Sequence, residues 1–298
     1  MTYRFLEIFM AVVECGKMSE AAKKLYITQS SVSQAIAAIE KEYGILLFER
    51  LSHGLYLTED GRELMAYAKK IMATKSDMEE FLSNSKYSRR LRVGATVTVG
   101  TCVISPILKS VRRSLPNVDM SVFVSNTREI EERLLNNELD IGLVEGIVHS
   151  PELVHQDVIR DSMVLICPPG HRFWGAAKVD AAELCSEPLV LREKGSGTRA
   201  SFEEQMSRLG YPVRVRWECS NSEAIKNAVK DGHGLSIISR RLVLDDLESG
   251  ALFASDVAGL NLHRYFAVVY HKNKHITESI RCFIDECRAF SHEEHSEP

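Results

Sequence analysis

The hydrophobic residues at the start of the chain recur at the spacing of short helices. In the first of these helices, apolar residues lie three or four positions apart, which predicts one buried helical face. The residues of that face are Phe5, Leu6, Phe9, Met10 and Val13. Gly16 comes just after them, at a position where a left-handed glycine commonly follows a helix. The pattern therefore predicts a first helix that ends before Gly16.

Two further short helices follow at the same spacing. Ser19 precedes the sequence "EAA" and is predicted to be the N-cap of the second helix. Thr28 is predicted to cap a third helix, which buries Val32, Ile36 and Ile39. Because the two alanines of "EAA" allow a close crossing, the pair is predicted to form a helix-turn-helix.

A single longer helix is predicted after residue 58. Its seam residues recur at alternating steps of four and three positions. They are Leu64, Ala68, Ile71, Lys75, Met78 and Leu82. An isolated helix would leave this seam in water, so we expect it to pair with a second copy of the chain and form a homodimer. Packing of the seam on its own domain is the alternative.

The pattern after residue 88 alternates between strands and helices. Strand-like segments such as "RLRVGAT", "VDMSVFVSN" and "DIGLVEG" are separated by helical ones, and the first of those helices is predicted over residues 99–114. This alternation predicts a parallel sheet with helices on its faces. A second set with the same plan runs from "SMVLICPP" to "LSIIS", before a last strand "LHRYFAVVYHK" and a final helix. We therefore predict two α/β lobes with a cleft between them.

Composition and charge exclude several classes of protein. The chain is 45% hydrophobic and 26% charged with a net charge of −4, so a nucleic-acid partner would have to meet a local basic patch. Seven scattered cysteines without a CxxC pair argue against disulfides and a zinc site, and we expect no metal and no cofactor. The start of the chain carries Arg4, Glu7 and Glu14, unlike a signal peptide, and no apolar run approaches the ~18 residues of a membrane span. We expect a cytoplasmic protein without a membrane partner.

The segment "AAKKLYITQSSVSQAIAAIEKEYGILLFER", followed by "LTEDG", resembles the N-terminal signature of LysR-type transcriptional regulators. The resemblance implies an all-α winged helix-turn-helix domain, a long linker helix and an α/β two-lobed periplasmic-binding-protein-like domain. We predict these parts at residues 1–58, 59–88 and 89–298. Within the last, lobe I comprises about 89–163 and 267–292, and lobe II about 164–266. The family also implies double-stranded promoter DNA as partner and a homotetramer.

The third helix is the predicted recognition helix, since polar residues lie opposite its apolar stripe. Amides can pair with adenine and hydroxyls can contact bases or phosphate in the major groove. In the predicted wing, "FERLSHGLYLT", the guanidinium of Arg50 offers paired donors to phosphate. His53 stands where this family often carries Arg, and an imidazole makes a weaker, pH-dependent contact. Ser31 also fits a contact with the first helix. The predicted DNA-binding residues are Gln29, Ser30, Ser31, Ser33, Gln34, Arg50, His53 and Thr58.

Polar residues stand at four predicted helix starts in the α/β region. Hydroxyls and free backbone N–H groups would meet at one edge of the two lobes, which favours a small anionic effector, whereas each residue taken alone fits a simple N-cap. Several of these segments resemble the subgroup of the family linked to sulfur assimilation and sulfite. Glu145 either pairs with Arg199 or lines the cleft, where a bare carboxylate would oppose an anion. The predicted effector residues are Thr96, Thr98, Asn126, Thr127, Glu145, Ser196, Gly197, Thr198, Arg199 and Asn221.

An enzyme and a redox sensor compete with the regulator hypothesis, and a solute-binding protein for transport conflicts with the lack of a signal-peptide pattern. An enzyme is disfavoured because the sequence contains no HExxH, no GxSxG and no ligand spacing among its ten histidines. A thiol-based redox sensor on the same scaffold would use Cys185 and Cys219, although nothing in the sequence indicates a low thiol pKa. We expect a regulator that is not an enzyme, with the redox sensor as the alternative.

Overall fold

The computed structural model describes residues 1–51, 54–83 and 89–293. Within these ranges, side chains are not described for residues 50, 51, 54, 77, 80–83, 89, 292 and 293. The chain forms two compact units, Met1–Ser85 and Lys86–Pro298. Each has its own hydrophobic core.

The N-terminal unit begins with three short helices, α1 (Tyr3–Cys15), α2 (Met18–Lys24) and α3 (Gln29–Tyr43). Gly16 ends α1 in the left-handed region with φ 66°, as predicted. The Thr28 hydroxyl accepts the backbone N–H of Ser31 at 3.1 Å, which confirms the predicted cap of α3. The prediction for Ser19 was wrong: α2 begins at Met18, so the N-cap is Lys17, two residues earlier.

A hairpin of β1 (Phe48–Leu51) and β2 (Gly54–Leu57) precedes the long helix α4 (Glu59–Ser83). Ala68 of α4 is fully buried and Leu64 packs beside it against the core of the same unit. Ile71 and Met78 of the same seam remain exposed. The first part of the predicted seam therefore packs on its own domain, and only the later part is left uncovered.

Three parallel strands begin the C-terminal unit, as predicted. In chain order, the elements are β3 (Arg89–Thr96), α5 (Val97–Cys102), α6 (Ile104–Ser114), β4 (Val118–Ser125), α7 (Thr127–Leu135) and β5 (Ile141–Glu145). Strand β3 lies between β4 and β5 and pairs with both in parallel. One helix was predicted over residues 99–114, but Val103 leaves helical geometry at φ −125° and separates α5 from α6.

Two long antiparallel strands join the lobes, which differs from the predicted all-parallel sheet. Strand β6 (Leu153–Cys167) pairs with β12 (His263–His271) up to Ser162, and β12 pairs in turn with β5. From Met163 onward, β6 pairs instead with strands of lobe II. Phe266 lies in the lobe I core, so lobe I includes residues before 267. Strand β6 leaves lobe I and β12 returns to it, so the two neighbouring strands run in opposite directions.

Lobe II is built from shorter elements around its own core. They are β7 (Lys178–Asp180), α8 (Ala181–Leu184), β8 (Leu189–Arg192), α9 (Gly197–Arg208), β9 (Val215–Cys219), α10 (Ser222–Lys230), β10 (Ser236–Ser239), a 3-10 helix (Arg240–Leu242), α11 (Leu244–Glu248) and β11 (Phe253–Ala258). Strands β10 and β11 pair with β6, and β8 pairs with β9 in parallel. The C-terminal helix α12 (Glu278–Glu293) packs back against α6 in lobe I. The predicted two-lobed α/β architecture is confirmed.

Candidate functional site

The N-terminal end of α3 presents an uncharged polar surface. Gln29, Ser30, Ser31 and Gln34 are exposed and Ser33 is half-buried. On the opposite side of α3, the buried residues are Val32, Ala35, Ile36 and Ile39. The exposed side chains therefore stand where a partner can contact them, because the apolar stripe fixes which face of the helix points inward.

The Thr28 hydroxyl organises the first turn of α3. It lies 2.8 Å from the hydroxyl oxygen of Ser30 and 2.8 Å from that of Ser31, in addition to accepting the Ser31 N–H. Ser31 therefore points toward the cap instead of the first helix. These contacts hold the hydroxyls of the first turn in fixed positions.

Tyr26 is a surface residue of this region that the sequence interpretation missed. It occupies the turn between α2 and α3 with φ 56°, and its ring is 96% exposed. A left-handed conformation is uncommon for an aromatic residue, and a fully exposed ring gains nothing from burial. The available signal was that "KKLYITQ" places Tyr26 in the turn between α2 and α3.

The wing residues are only partly described. His53 lies outside the described residues, and Arg50 lies in β1 without a described side chain. Thr58 has a structural role that the DNA-binding prediction did not include. Its hydroxyl donates a hydrogen bond to the carbonyl of Leu46 at 2.6 Å and accepts one from the N–H of Gly61 at 2.9 Å. The hydroxyl therefore already has two partners within its own domain.

Lysines beside the helix-turn-helix are held in exposed ion pairs. Lys23 contacts Glu20 at 2.9 Å and Lys24 contacts Glu14 at 2.5 Å. Exposed pairs of this kind are screened by water and contribute little stability, so a phosphate can compete for either ammonium group.

Three of the predicted effector residues converge on the buried carboxylate of a fourth, Glu145. Glu145, at the end of β5, accepts hydrogen bonds from the hydroxyls of Thr96 at 2.7 Å and Thr98 at 2.9 Å. The Thr198 hydroxyl, at the start of α9 in lobe II, lies 3.4 Å from the same carboxylate. All four side chains are buried. We call Thr96, Thr98, Glu145 and Thr198 the Glu145 cluster.

Arg264 joins this cluster to a second buried carboxylate. Its Nη1 donates to the Thr198 hydroxyl at 2.8 Å, and its Nε donates to Asp161 at 2.7 Å. Its Nη2 is buried without a hydrogen-bond partner, as is the hydroxyl of Ser196 just before α9. The sequence interpretation missed both Arg264 and Asp161, although charged residues inside the long strands "VIRDSMVLIC" and "LHRYFAVVYHK" were the available signal.

Glycines allow the two lobes to touch beside the cluster. A Cβ atom on Gly197 would lie 2.1 Å from the carbonyl oxygen of Glu145, and one on Gly146 would lie 2.5 Å from the Cα of Gly197. The backbone N–H of Arg128, at the start of α7, donates to the carbonyl of Gly195 at 3.4 Å. The predicted helix starts of lobe I and lobe II therefore meet, and no side chain other than hydrogen fits at the contact.

Several predicted effector residues have other partners. Arg199 does not pair with Glu145: it donates to Glu203 at 2.7 Å and to Glu218 at 2.6 Å, so these carboxylates already occupy its fork. The Thr127 hydroxyl donates to the carbonyl of Glu145 at 2.7 Å. The side-chain oxygens of Asn126 and Asn221 cap α7 and α10, the role expected of such residues taken singly. Asn221 is exposed.

All seven cysteines are described, and all are free thiols. Burial raises the pKa of Cys102 and of Cys167 to about 11, and it also raises the pKa of Cys287. Cys185 and Cys219 are half-buried. Among the described residues, no group of three or more His, Cys, Asp or Glu is placed to hold a metal ion, and no helix is long and apolar enough to cross a membrane.

Two protein families match this chain. Residues 3–62 match the bacterial regulatory helix-turn-helix proteins of the lysR family, and residues 84–291 match the LysR substrate binding domain. These descriptions fit the exposed end of α3 in the first unit and the buried polar cluster between two lobes in the second.

Relatives of similar length are transcriptional regulators. The uncharacterized HTH-type regulator YeiE of Escherichia coli is 30% identical over 96% of this chain and 97% of YeiE. The activator CmpR of Synechocystis is 30% identical over 98% and 96% of the two chains. The regulator CysL of Bacillus subtilis is 30% identical over 95% and 96%. The prediction of a regulator that is not an enzyme is confirmed.

Solved structures share the fold. A full-length OxyR variant from Pseudomonas aeruginosa superposes with a TM-score of 0.69 at 21% identity, covering 97% of this chain and 95% of OxyR. The regulatory domain of CcmR from Synechocystis, in complex with 2-PG, gives a TM-score of 0.63 at 28% identity over 68% of this chain and 97% of that domain. Family, relatives and fold agree, and this chain belongs to the LysR family of bacterial DNA-binding transcriptional regulators.

Proposed function

We propose that this regulator binds a small anionic effector between its two lobes, beside the Glu145 cluster, and that this binding changes its affinity for promoter DNA. The observation that carries the proposal is the pair of buried, unpartnered groups at one end of α9, the Arg264 Nη2 and the Ser196 hydroxyl. A buried polar group without a partner costs free energy, about 1–3 kcal/mol and more when the group is charged. A ligand that accepts from both groups would recover that cost.

An anion is the class of ligand that these groups favour. Arg264 is only 7% exposed and supplies a charged donor, and α9 begins without a side-chain cap, so its first N–H groups also face the site. The Glu145 carboxylate stands nearby, but hydroxyl donors surround it. Because those hydroxyls satisfy the carboxylate, the anion would be held by Arg264 and Ser196. The complex of the CcmR regulatory domain with 2-PG supports a small ligand in this fold.

Within that class, we propose a sulfur oxyanion as the first candidate. Its support is the resemblance of "VGATVTVG", "DIGLVEG" and "LREKGSGTRASF" to the sulfur-linked subgroup of the family. CysL and CmpR are equally identical to this chain, so overall identity does not select among subgroups. Direct binding must separate sulfite, sulfate and thiosulfate from phosphate and small carboxylates.

A thermal-shift measurement on the full-length protein tests the effector proposal. At a hundredfold excess over Kd, an effector would stabilise the folded protein by about 2.7 kcal/mol. Ser196→Ala should reduce the shift caused by the active anion while leaving the unliganded protein as stable as before, because that hydroxyl has no partner to lose. Ser207→Ala, an exposed position on the same helix, is the matched control. A melt that responds only to bulky apolar compounds would overturn the anion proposal.

For promoter recognition, we propose that Gln29, Ser30, Ser33 and Gln34 contact bases and that Arg50 contacts phosphate. The exposure of the α3 edge supports the first part. In a gel shift on the promoter upstream of its own gene, Gln29→Ala should relax base preference by about 1–3 kcal/mol. Arg50→Ala should weaken binding to every sequence alike. Uniform weakening by Gln29→Ala would remove its role in base recognition.

We also propose that α4 forms the homodimer contact and that dimers assemble into a homotetramer. Tyr67, Ile71 and Met78 support this, because they are exposed at steps of four and seven residues on one side of the helix. Sedimentation of Ile71→Glu should show a smaller oligomer than the wild type. Lys70→Glu, at the neighbouring exposed position, should leave the assembly intact.

A further inference from the structure

An open pocket lies where β6 passes from lobe I to lobe II. It has a volume of about 280 Å³ and is lined by Leu244 and by the polar residues Arg160, Asp161, Ser162, Arg240, Arg241 and His263. We call it the crossover pocket. Ser162 is the last β6 residue that pairs with β12, where it lies opposite His263. Arg240 directly follows Ser239, which pairs with Met163 on the other side of β6.

The charges of the crossover pocket are not balanced. Three arginines against one aspartate leave the lining with a formal charge of +2 when His263 is neutral. Asp161 is fully buried and already accepts from Arg264 at 2.7 Å and from Ser239 at 2.7 Å. Within the described part of the chain, the guanidinium groups of Arg160 and Arg240 have no carboxylate partner, and both residues are exposed. Solvent anions can therefore reach two uncompensated cations.

One wall of the crossover pocket is already fixed in place. Arg241 donates from Nη2 to the carbonyl of Arg160 at 2.7 Å, and its Nε lies 3.5 Å from Asp161. Guanidinium groups bind oxyanions through paired donors, and a group that is held before binding loses less freedom when the ligand arrives. The small volume suits a compact ligand with several oxygens.

We propose that the crossover pocket is a second anion-binding site, for a small oxyanion that carries two or more negative charges. It is separate from the effector site, because its unpaired cations are Arg160 and Arg240, neither of which belongs to the Glu145 cluster or contacts it. Asp161 links the two places, since it contacts Arg241 on one side and Arg264 on the other. An anion that draws Arg241 away from Asp161 would change the field at Arg264, and this coupling rests on the proposed function.

Calorimetric titration of the full-length protein with inorganic pyrophosphate, at constant ionic strength and without divalent cations, tests the site. The double variant Arg160→Gln/Arg240→Gln removes both charge-assisted donors, so it should bind at least about tenfold more weakly. Arg208→Gln changes an exposed lobe II arginine that pairs with exposed Glu204, and this variant should bind like the wild type. Melting of each variant without ligand verifies folding.

A variant of the effector site separates this proposal from the previous one. Ser196→Ala removes a hydroxyl that the proposed effector anion would contact, and Ser196 does not line the crossover pocket. The crossover site is supported if pyrophosphate binding survives Ser196→Ala and is lost in the double variant. If Ser196→Ala loses the binding and the double variant keeps it, pyrophosphate occupies the effector site and the crossover proposal fails. Unchanged binding in both variants also overturns it.

Discussion

Arg264 and Asp161 stand directly opposite each other on the antiparallel strands β12 and β6, and the Arg264 Nε donates to the Asp161 carboxylate at 2.7 Å. The carboxylate is fully buried and the arginine is 7% exposed. The pair lies where both strands cross between the lobes. The ion pair therefore connects the Glu145 cluster to the crossover pocket. The crossing of the two strands and the buried charges of the pair thus depend on each other.

Removing the charge of Asp161 should strongly destabilise the C-terminal unit. Asp161→Asn leaves the buried Arg264 without its counter-ion, and breaking a buried pair costs about 3–5 kcal/mol. Urea unfolding followed by tryptophan fluorescence measures the loss, because Trp174 and Trp217 both lie in lobe II. Asp119→Asn, at an exposed position of β4, should change the unfolding free energy by less than about 0.5 kcal/mol. Equal losses for the two variants would contradict the assigned role.

A methyl group on Gly197 should force the lobes apart. Its Cβ would stand 2.1 Å from the Glu145 carbonyl oxygen, a backbone atom that cannot turn away. Gly197→Ala should therefore reduce the response to effector and lower the melting temperature. Gly100→Ala is the matched control, since its Cβ meets only the side chain of exposed Val124 at 2.9 Å. An effector response of wild-type size in Gly197→Ala would show that the contact is dispensable.

Loss of the Thr28 cap should destabilise α3. Thr28→Ala removes the acceptor of the Ser31 N–H, a change that costs about 0.5–2 kcal/mol. It also frees the hydroxyls of Ser30 and Ser31, so promoter affinity should fall in a gel shift. Thr28→Ser keeps the acceptor oxygen and should restore both stability and binding. Failure of the serine variant to do so would mean that the methyl group, and not the cap, matters.

Acid should unfold the C-terminal unit partly through Asp140. Burial raises the pKa of this carboxyl, but the hydrogen bonds from Arg92 and the charge of Lys274 outweigh it and leave the pKa lowered. Because the pKa is lowered, the ionised carboxylate stabilises the fold at pH values above the unfolded pKa of about 3.9. This stabilisation is lost as the pH falls through the folded pKa. Asp140→Asn should be less stable than the wild type at pH 7, and the difference should shrink below about pH 4. A difference independent of pH would exclude this ionisation as the cause.

The thiols of Cys102 and Cys167 should resist peroxide. With a pKa of about 11, Cys102 and Cys167 are almost entirely protonated at neutral pH, and the thiolate is the reactive form. Dimedone labelling after mild peroxide treatment should leave both at background, with the urea-unfolded protein as the reactive control. Cys185 and Cys219 are tested by their double Ser variant. A peroxide effect on promoter binding that disappears in this variant would favour the redox sensor.

Local sequence patterns predicted those features of the fold that depend on a single helical turn or a single strand. The cap at Thr28 and the end of α1 at Gly16 followed from the sequence, because each depends on residues within a few positions. The same reasoning placed the N-cap of α2 two residues too late, at Ser19 instead of Lys17, since several neighbouring residues were able to begin the helix. It also missed the break at Val103, where apolar spacing continues through two helices.

The sequence by itself determined the helix-turn-helix, the alternation of the two α/β lobes and the polar helix starts, because periodicity and capping act over short distances. Only the tertiary structure decided which of those polar groups meet. Glu145 is joined to Thr96 and Thr98 instead of Arg199, and Arg264 reaches Asp161 across 103 positions of sequence. Such pairs depend on the register of crossing strands and on the approach of two lobes, which no local pattern specifies.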